Sequence, residues 1–363
     1  MYNFTSRQVT SRNYGLDLYK IICMFFVIAF HFSDHGNVVV SCSQDLSFNW
    51  CVLAIARIFG GICNCAFMLI SGYFLYQKNF NTKGLFKLWL EVWFYSVTIG
   101  TFCYITGTEI FTVKSLVKMV FPFTFNQYWY FSTYIVIYLL FPYLNKWIDS
   151  LTKKQHQGII FLGISLFSIL PTLTNALWIV GSNSIPIFFV LYFVGSYFNK
   201  YNISISKQTI VPLSIIALAI EIISLFFMRI VYYYTGQDIY FYLVWGTNKI
   251  LPVITSTVLF LAFKQIKIKH TKIITFISSS VFGVYLFHIG RLNVLLFSNL
   301  FDNSATYETN MLLPQMLISM CSIFAAGILF DKIRIYIFEK PIMKLCSVPI
   351  YRLNNQIQKY YYD

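Results

Sequence analysis

An all-α bundle that spans a membrane is the fold this sequence predicts, and three observations predict it. Of 363 residues, 58% are hydrophobic and only 11% are charged. A soluble chain carries about 25% charged residues, so this one cannot hide its apolar surface from water. The apolar residues come in runs of about 20, long enough for helices to cross the hydrocarbon core. Short connections rich in lysine and arginine separate the runs.

Ten runs are expected to span: 16–36, 50–76, 87–106, 129–148, 157–177, 185–199, 209–234, 246–264, 273–298 and 311–331. The stretch "TNALWIVGSNSIP" parts the fifth from the sixth. Residues 1–363 read as a single transmembrane domain. It has a short cytoplasmic N-terminus, 1–15, and a cytoplasmic tail from about 332 to 363 that reads as a loose interfacial strand or helix. The first helix reads as uncleaved. The connections at 107–128 and 299–310 are too short to fold alone, so no separate soluble domain is expected.

The formal net charge is +14. In a soluble protein such an excess points to nucleic acid. Here it is a topology signal, with attraction to lipid headgroups as a by-product. With the N-terminus inside, inner segments hold Arg7 and Arg12, then Lys78, Lys83 and Lys87, then Lys146, Lys153 and Lys154. Further inner segments hold Lys200 and Lys207, the lysines between 264 and 272, and the basic tail from Lys332. Outer segments hold only Lys114 and Lys118. Both termini are therefore expected in the cytoplasm of a multi-pass plasma-membrane protein.

Most cysteines lie inside apolar runs, where they act as small hydrophobes. Cys63-x-Cys65 has no nearby histidine to complete a ligand set, so no metal is expected. The ionisable residues inside the runs are Asp17, Lys20, His31, Arg57, Glu91, Glu221, Arg229, Lys249, His288 and Arg291. Such groups face a protein interior or a wet cavity. Asp17, Glu91, Arg229 and Lys249 lie near helix ends, where side chains reach the interface.

Lys20 and His31 stand eleven residues apart. Eleven steps of a helix turn through about 1100°, some 20° past three turns, so the two share a face about 16 Å apart along the axis. Asp34 and His35 follow His31 at i+3 and i+4 on that face. Asp34 can hold the imidazole in one tautomer. Of the other histidines, His156 and His270 read as residues of cytoplasmic loops, and His35 as a residue of the outer interface. His288 is the second buried candidate.

A basic residue, ten intervening residues and a histidine in the first span resemble the signature of the membrane acyltransferase-3 family, whose members O-acylate bacterial cell-surface sugars. "CAFMLISGYFLY" (Cys65–Tyr76) is similar to that family's second-span segment. "QYWYFSTYIVIYLLFPYLN" (Gln127–Asn145) resembles its fourth, and "SSSVFGVYLFHIG" (Ser278–Gly290) its late segment ending in a histidine. The four pieces occur in order over nearly the whole chain. Lys20 stands where the family usually has arginine. Lys83 and Lys87, four apart, stand where it often has two arginines three apart.

The resemblance implies a transfer of acetyl, or another short acyl group, from acetyl-coenzyme A to a cell-surface polysaccharide or sugar. Lys20, helped by Lys83 or Lys87, would take the donor's phosphates. His31 would act as general base or as an acyl-carrying nucleophile. His288 would serve as a second base or a structural partner. Ser71, Tyr73, Trp129 and Tyr134 are candidate oxyanion donors. Ser71-Gly72 equally suits a close helix crossing, and Trp129 and Tyr134 an interfacial aromatic belt. Arg57 would pair with Asp34 or bind substrate. The rival reading is a transporter or flippase for a glycan or lipid intermediate, which needs neither Lys20 nor His31 on one face.

Overall fold

The computed structural model describes residues 12–41, 44, 46–110, 112–174, 185–239, 241–269 and 271–362. Arg7, His270 and residues 175–184 of the fifth connection lie outside the described residues. Those described fold into helices without any strand.

The first three elements are α1 (Tyr14–Asp34), α2 (Phe48–Leu75) and α3 (Thr82–Ile105). Each starts at a side-chain cap. Asn13, Ser47 and Asn81 accept from Leu16, Trp50 and Lys83 backbone N–H groups, which satisfies donors that a helix start leaves free. A short outer helix, α4 (Val113–Val120), precedes α5 (Trp129–Ser150). Next, α6 (Lys153–Ile164) runs through a π-helical turn, Ser165–Ile169, into α7 (Leu170–Leu173). Then come α8 (Ile185–Lys200), α9 (Lys207–Thr235) and α10 (Ile250–Lys264).

The expected run 273–298 is not one helix. It divides into α11 (Lys272–Ser278), α12 (Val281–His288) and a π-helical segment, Val294–Leu300. The turn after α12 passes through Gly290 at φ +74°, a conformation that favours glycine. The last span, α13 (Leu312–Arg334), continues through a π-helical turn, Ile335–Glu339, into α14 (Lys340–Leu345). The tail is a regular helix, α15 (Ser347–Tyr362). Its Asn354, Gln358 and Tyr361 bond to backbone at Thr82, Phe80 and Leu139, so it is clamped across α3 and α5 rather than loose.

By length and composition, six helices among the described residues are apolar and long enough to cross a membrane: Tyr14–Asp34, Phe48–Leu75, Thr82–Ile105, Lys153–Leu173, Lys207–Thr235 and Leu312–Leu345. Three expected runs appear as the shorter apolar helices Ile185–Lys200, Ile250–Lys264 and Lys272–His288. The remaining run is α5, whose tyrosines dilute its hydropathy. Ten spans were expected, and six meet the length and composition of a crossing.

Packing centres on α1 and α2. The first helix touches α2, α10, α11, α12 and α13, and the second touches α8, α9 and α10 as well. Helices α2 and α8 approach closely because small residues face each other. A Cβ on Gly72 would lie 2.6 Å from the Tyr192 carbonyl oxygen, and one on Gly195 would lie 2.3 Å from that of Leu69. Small residues at such crossings let backbones touch where no hydrophobic force separates protein from lipid. His156, expected in a loop, is fully buried at the start of α6, its Nε2 3.0 Å from the Phe193 carbonyl oxygen.

Candidate functional site

Helices α1 and α12 bring His31 and His288 together, with ring centroids 5.3 Å apart. His35, one turn beyond His31, stacks on it at 4.8 Å and 9°. It stands at the C-cap of α1 with its side chain 31% exposed. Phe297 packs against all three imidazoles at 6.2–6.4 Å. The π-helical segment that carries it also ties down α1, since Ser298 Oγ donates to the His35 carbonyl oxygen at 2.9 Å.

His31 is 6% exposed and His288 fully buried. His288 Nδ1 lies 2.6 Å from the Val284 carbonyl oxygen. A proton on Nδ1 donates there and leaves Nε2 with its lone pair. That Nε2, and Nδ1 of His31, are buried with no hydrogen-bond partner among the described residues. Buried polar atoms are nearly always partnered, so this pair is poised for something outside the chain.

Below the imidazoles lies a cavity of about 330 Å³. Lys20, Met24 and Val27 of α1 line it, and so do Val281 and Tyr285 of α12. The spacing 20, 24, 27 continues at the same helical face to 31, and 281, 285 continues to 288. Two rows of side chains therefore run along the cavity; its lining stops at Val27 and Tyr285, and His31 and His288 are the next residues on those two faces. The other walls include Asn64, Phe67, Ile70 and Ser71 of α2, and Tyr130 and Tyr134 of α5.

At the Lys20 end the cavity meets Ser278, Ser279 and Glu91. Lys20 Nζ is 2.6 Å from Asp17, which also takes Arg12 at 2.5 Å. Arg12 reaches Ser278 Oγ at 2.8 Å, and Lys332 reaches Ser279 Oγ at 2.8 Å. Arg12 thus shares Asp17 with Lys20, and Lys332 is held by the neighbouring serine of the α11–α12 junction. Lys87 lies within electrostatic reach of Glu91 and Lys332. Lys83 lines a separate pocket with α15 residues, and Lys87 pairs with Glu339 at 2.9 Å.

Asp34 pairs with Arg57 at 2.5 Å, not with His31, and its nearer imidazole is His35 at 4.0 Å. Arg57 lies over the rings of Phe241 and Trp245 at 4.5 and 5.7 Å. Ser71 and Tyr134 line the cavity, whereas Tyr73 and Trp129 do not. Tyr73 packs on Phe260, with Lys264 over its ring. Trp129 packs edge-on against Tyr130 and Phe188.

Sequence reasoning missed three groups. Tyr285 sits at i−3 from His288, a spacing that alone placed it on the same face. Arg12 meets Lys20 through Asp17, and Lys332 joins that end only through the break between α11 and α12. The third group is a buried ionic cluster. Arg334, 1% exposed, reaches Glu91 at 3.2 Å, Asp331 at 2.9 Å and Glu339 at 2.7 Å. The i,i+3 pair Asp331–Arg334 was its one local signal. Cys63 and Cys65 are free thiols, and no group of metal-ligating side chains gathers among the described residues.

A family model described as an acyltransferase domain matches residues 13–332, from the α1 cap to the end of α13. No curated protein and no solved structure matches the chain.

Proposed function

The chain belongs to the membrane acyltransferase-3 family, and from that premise we propose that it moves an acetyl or other short acyl group from cytoplasmic acyl-coenzyme A to a hydroxyl of an extracytoplasmic sugar. The observation that carries this reading is the pair of rows, on α1 and α12, that line one cavity from Lys20 up to Val27 and Tyr285, one turn short of the paired imidazoles. A donor of this kind has anionic phosphates at one end and a thioester on a long flexible arm. About 16 Å of helix separates Lys20 from His31, a distance such an arm covers.

Lys20, Arg12 and Lys332 form the basic end, where phosphate oxygens find charge-assisted donors. The apolar walls then guide the arm and exclude water. His31 takes the proton of the acceptor hydroxyl, which is a poor nucleophile until a base stands within hydrogen-bond reach. His288, with Nε2 free, is placed to share or relay that proton. An acyl group carried on an imidazole is the other route open to the same pair. The lysine-rich ends of α8, α10 and α13 lie with Lys20, which supports a cytoplasmic donor side and a plasma-membrane protein with both termini inside.

The test is ester-linked acetate released by mild base from the cell-surface glycan of a deletion strain. Carrying the wild-type chain, the strain regains acetate. Carrying His31→Gln, which keeps size and hydrogen bonding but cannot take the proton, it is expected to show a loss of at least about 100-fold, at normal protein abundance. Substantial acetate from the glutamine variant would make His31 structural. None from wild type would remove the acyl-transfer reading.

A further inference from the structure

Transfer to a thioester creates negative charge on the carbonyl oxygen, and that oxygen needs hydrogen-bond donors. The cavity offers few that are free. Ser71 Oγ donates to the Phe67 carbonyl oxygen at 2.8 Å, and the Tyr134 hydroxyl is engaged with Ser71. Two other phenols remain. Tyr130 and Tyr285 both line the cavity and are 9% and 7% exposed. Both hydroxyl oxygens are buried and neither O–H donates within the chain; the Tyr285 oxygen stands only beside the Tyr130 backbone N–H. Their rings meet edge to face at 6.0 Å, from α5 and α12 respectively.

A buried hydroxyl left without a partner is costly, and native structures rarely keep one. Two on touching rings that line one cavity mark a place where a ligand acceptor belongs. Their height along the cavity is set by α12. Tyr285 stands three residues before His288, about 4.5 Å along the axis, so the phenols lie one turn below the imidazoles and far from Lys20. A donor arm anchored by its phosphates at Lys20 brings its reactive end, not its middle, to that level.

We propose that the hydroxyls of Tyr130 and Tyr285 are the donors that hold the thioester carbonyl oxygen as charge develops on it, a role that rests on the acyl-transfer reading above. In the direct route, the acceptor oxygen bonds to the carbonyl carbon as its proton passes to imidazole. The carbonyl π pair moves onto oxygen, where both phenols donate to it. Collapse re-forms the C=O bond and breaks the C–S bond. Sulfur leaves with the bonding pair and takes the proton from imidazolium. Apolar walls around the phenols strengthen both hydrogen bonds, because no water competes.

The experiment uses full-length protein in vesicles, acetyl-coenzyme A as donor and de-O-acetylated surface glycan of the host strain as acceptor. Tyr130→Phe and Tyr285→Phe are each expected to lower kcat about 100-fold, with the KM for acetyl-coenzyme A unchanged. Packing defects would instead lower the melting temperature, so that temperature is recorded for each variant. If either variant fails to accumulate, 3-fluorotyrosine at the same position keeps the ring and changes the acidity of its hydroxyl. Then kcat must move while KM does not. A raised KM at unchanged kcat would assign the phenols to the arm and overturn the proposal, as would an unchanged kcat. Wild type without donor-dependent transfer would sink the functional reading and this proposal together; turnover insensitive to either phenol would sink the proposal alone.

Discussion

Arg57 and Asp34 meet at 2.5 Å, each less than a fifth exposed, with Phe241 under the guanidinium. Spacing on α1 suggested Asp34 for the His31 imidazole, but a helix face sets only neighbours on one helix. The stronger partner is Arg57 of α2, and that pairing is one of the two roles the sequence offered for the arginine. Removing one member of a buried pair strands the other charge and costs about 3–5 kcal/mol. Arg57→Ala is therefore expected to destabilise the protein by about 3 kcal/mol. Adding Asp34→Ala should return part of the loss. A double-mutant cycle on melting in detergent measures that coupling; purely additive losses would mean that the two side chains do not interact. His35 was likewise placed by the fold, since stacking on His31 fixes its ring whatever its nearness to the helix end.

At the scale of elements, the helix positions were legible because hydrophobic runs dictate them, and their interruptions were not. The run 273–298 holds three serines at 278–280, and His288, Gly290 and Arg291, at its two breaks, but the hydrophobic pattern alone reads these as polar residues of one long span rather than as its ends. Those breaks are what bring Ser278 and Ser279 to Lys20 and swing Phe297 onto the imidazoles. The crossing of α2 and α8 was half legible. Gly72 stood out in the sequence, but its partner Gly195 sits on a helix whose facing side no spacing reveals. Gly195→Ala is expected to cost about 1–3 kcal/mol, the range for overpacking, because its Cβ meets the Leu69 carbonyl and the Tyr73 amide nitrogen. Gly158→Ala meets nothing within 4 Å on α6 and should be neutral or mildly stabilising. Equal melting temperatures for the two variants would mean that the crossing is looser than drawn.

For the whole molecule, charge placement follows the sequence more closely than any single contact does. Lys200, Lys264 and Lys332 all terminate helices at the Lys20 end, where they bond to carbonyls at Ile148 and Ile203 and to Ser279. Reporter fusions after Lys83, Lys153 and Lys269 are expected to report the cytoplasm, and one after Asp302 the outside. The reverse pattern would put the basic end of the cavity on the wrong side of the membrane for its donor. The buried Arg334 cluster shows the limit of such reading, since composition cannot tell a lysine-rich surface from a guanidinium sunk among three carboxylates.

A chain proposed to carry a reaction across a membrane must not leak. The cavity and the imidazole row follow one another along α1, and protonatable rings are natural stepping stones for current. Phe297 is the residue placed to insulate that row, since its ring lies against His31, His35 and His288 at once. Apolar constrictions of this kind keep water out by dewetting. Phe297→Ala is accordingly expected to let protons through liposomes that the wild-type protein leaves tight, read as faster collapse of an imposed pH gradient. A gradient that decays no faster would put the electrical seal elsewhere in the bundle.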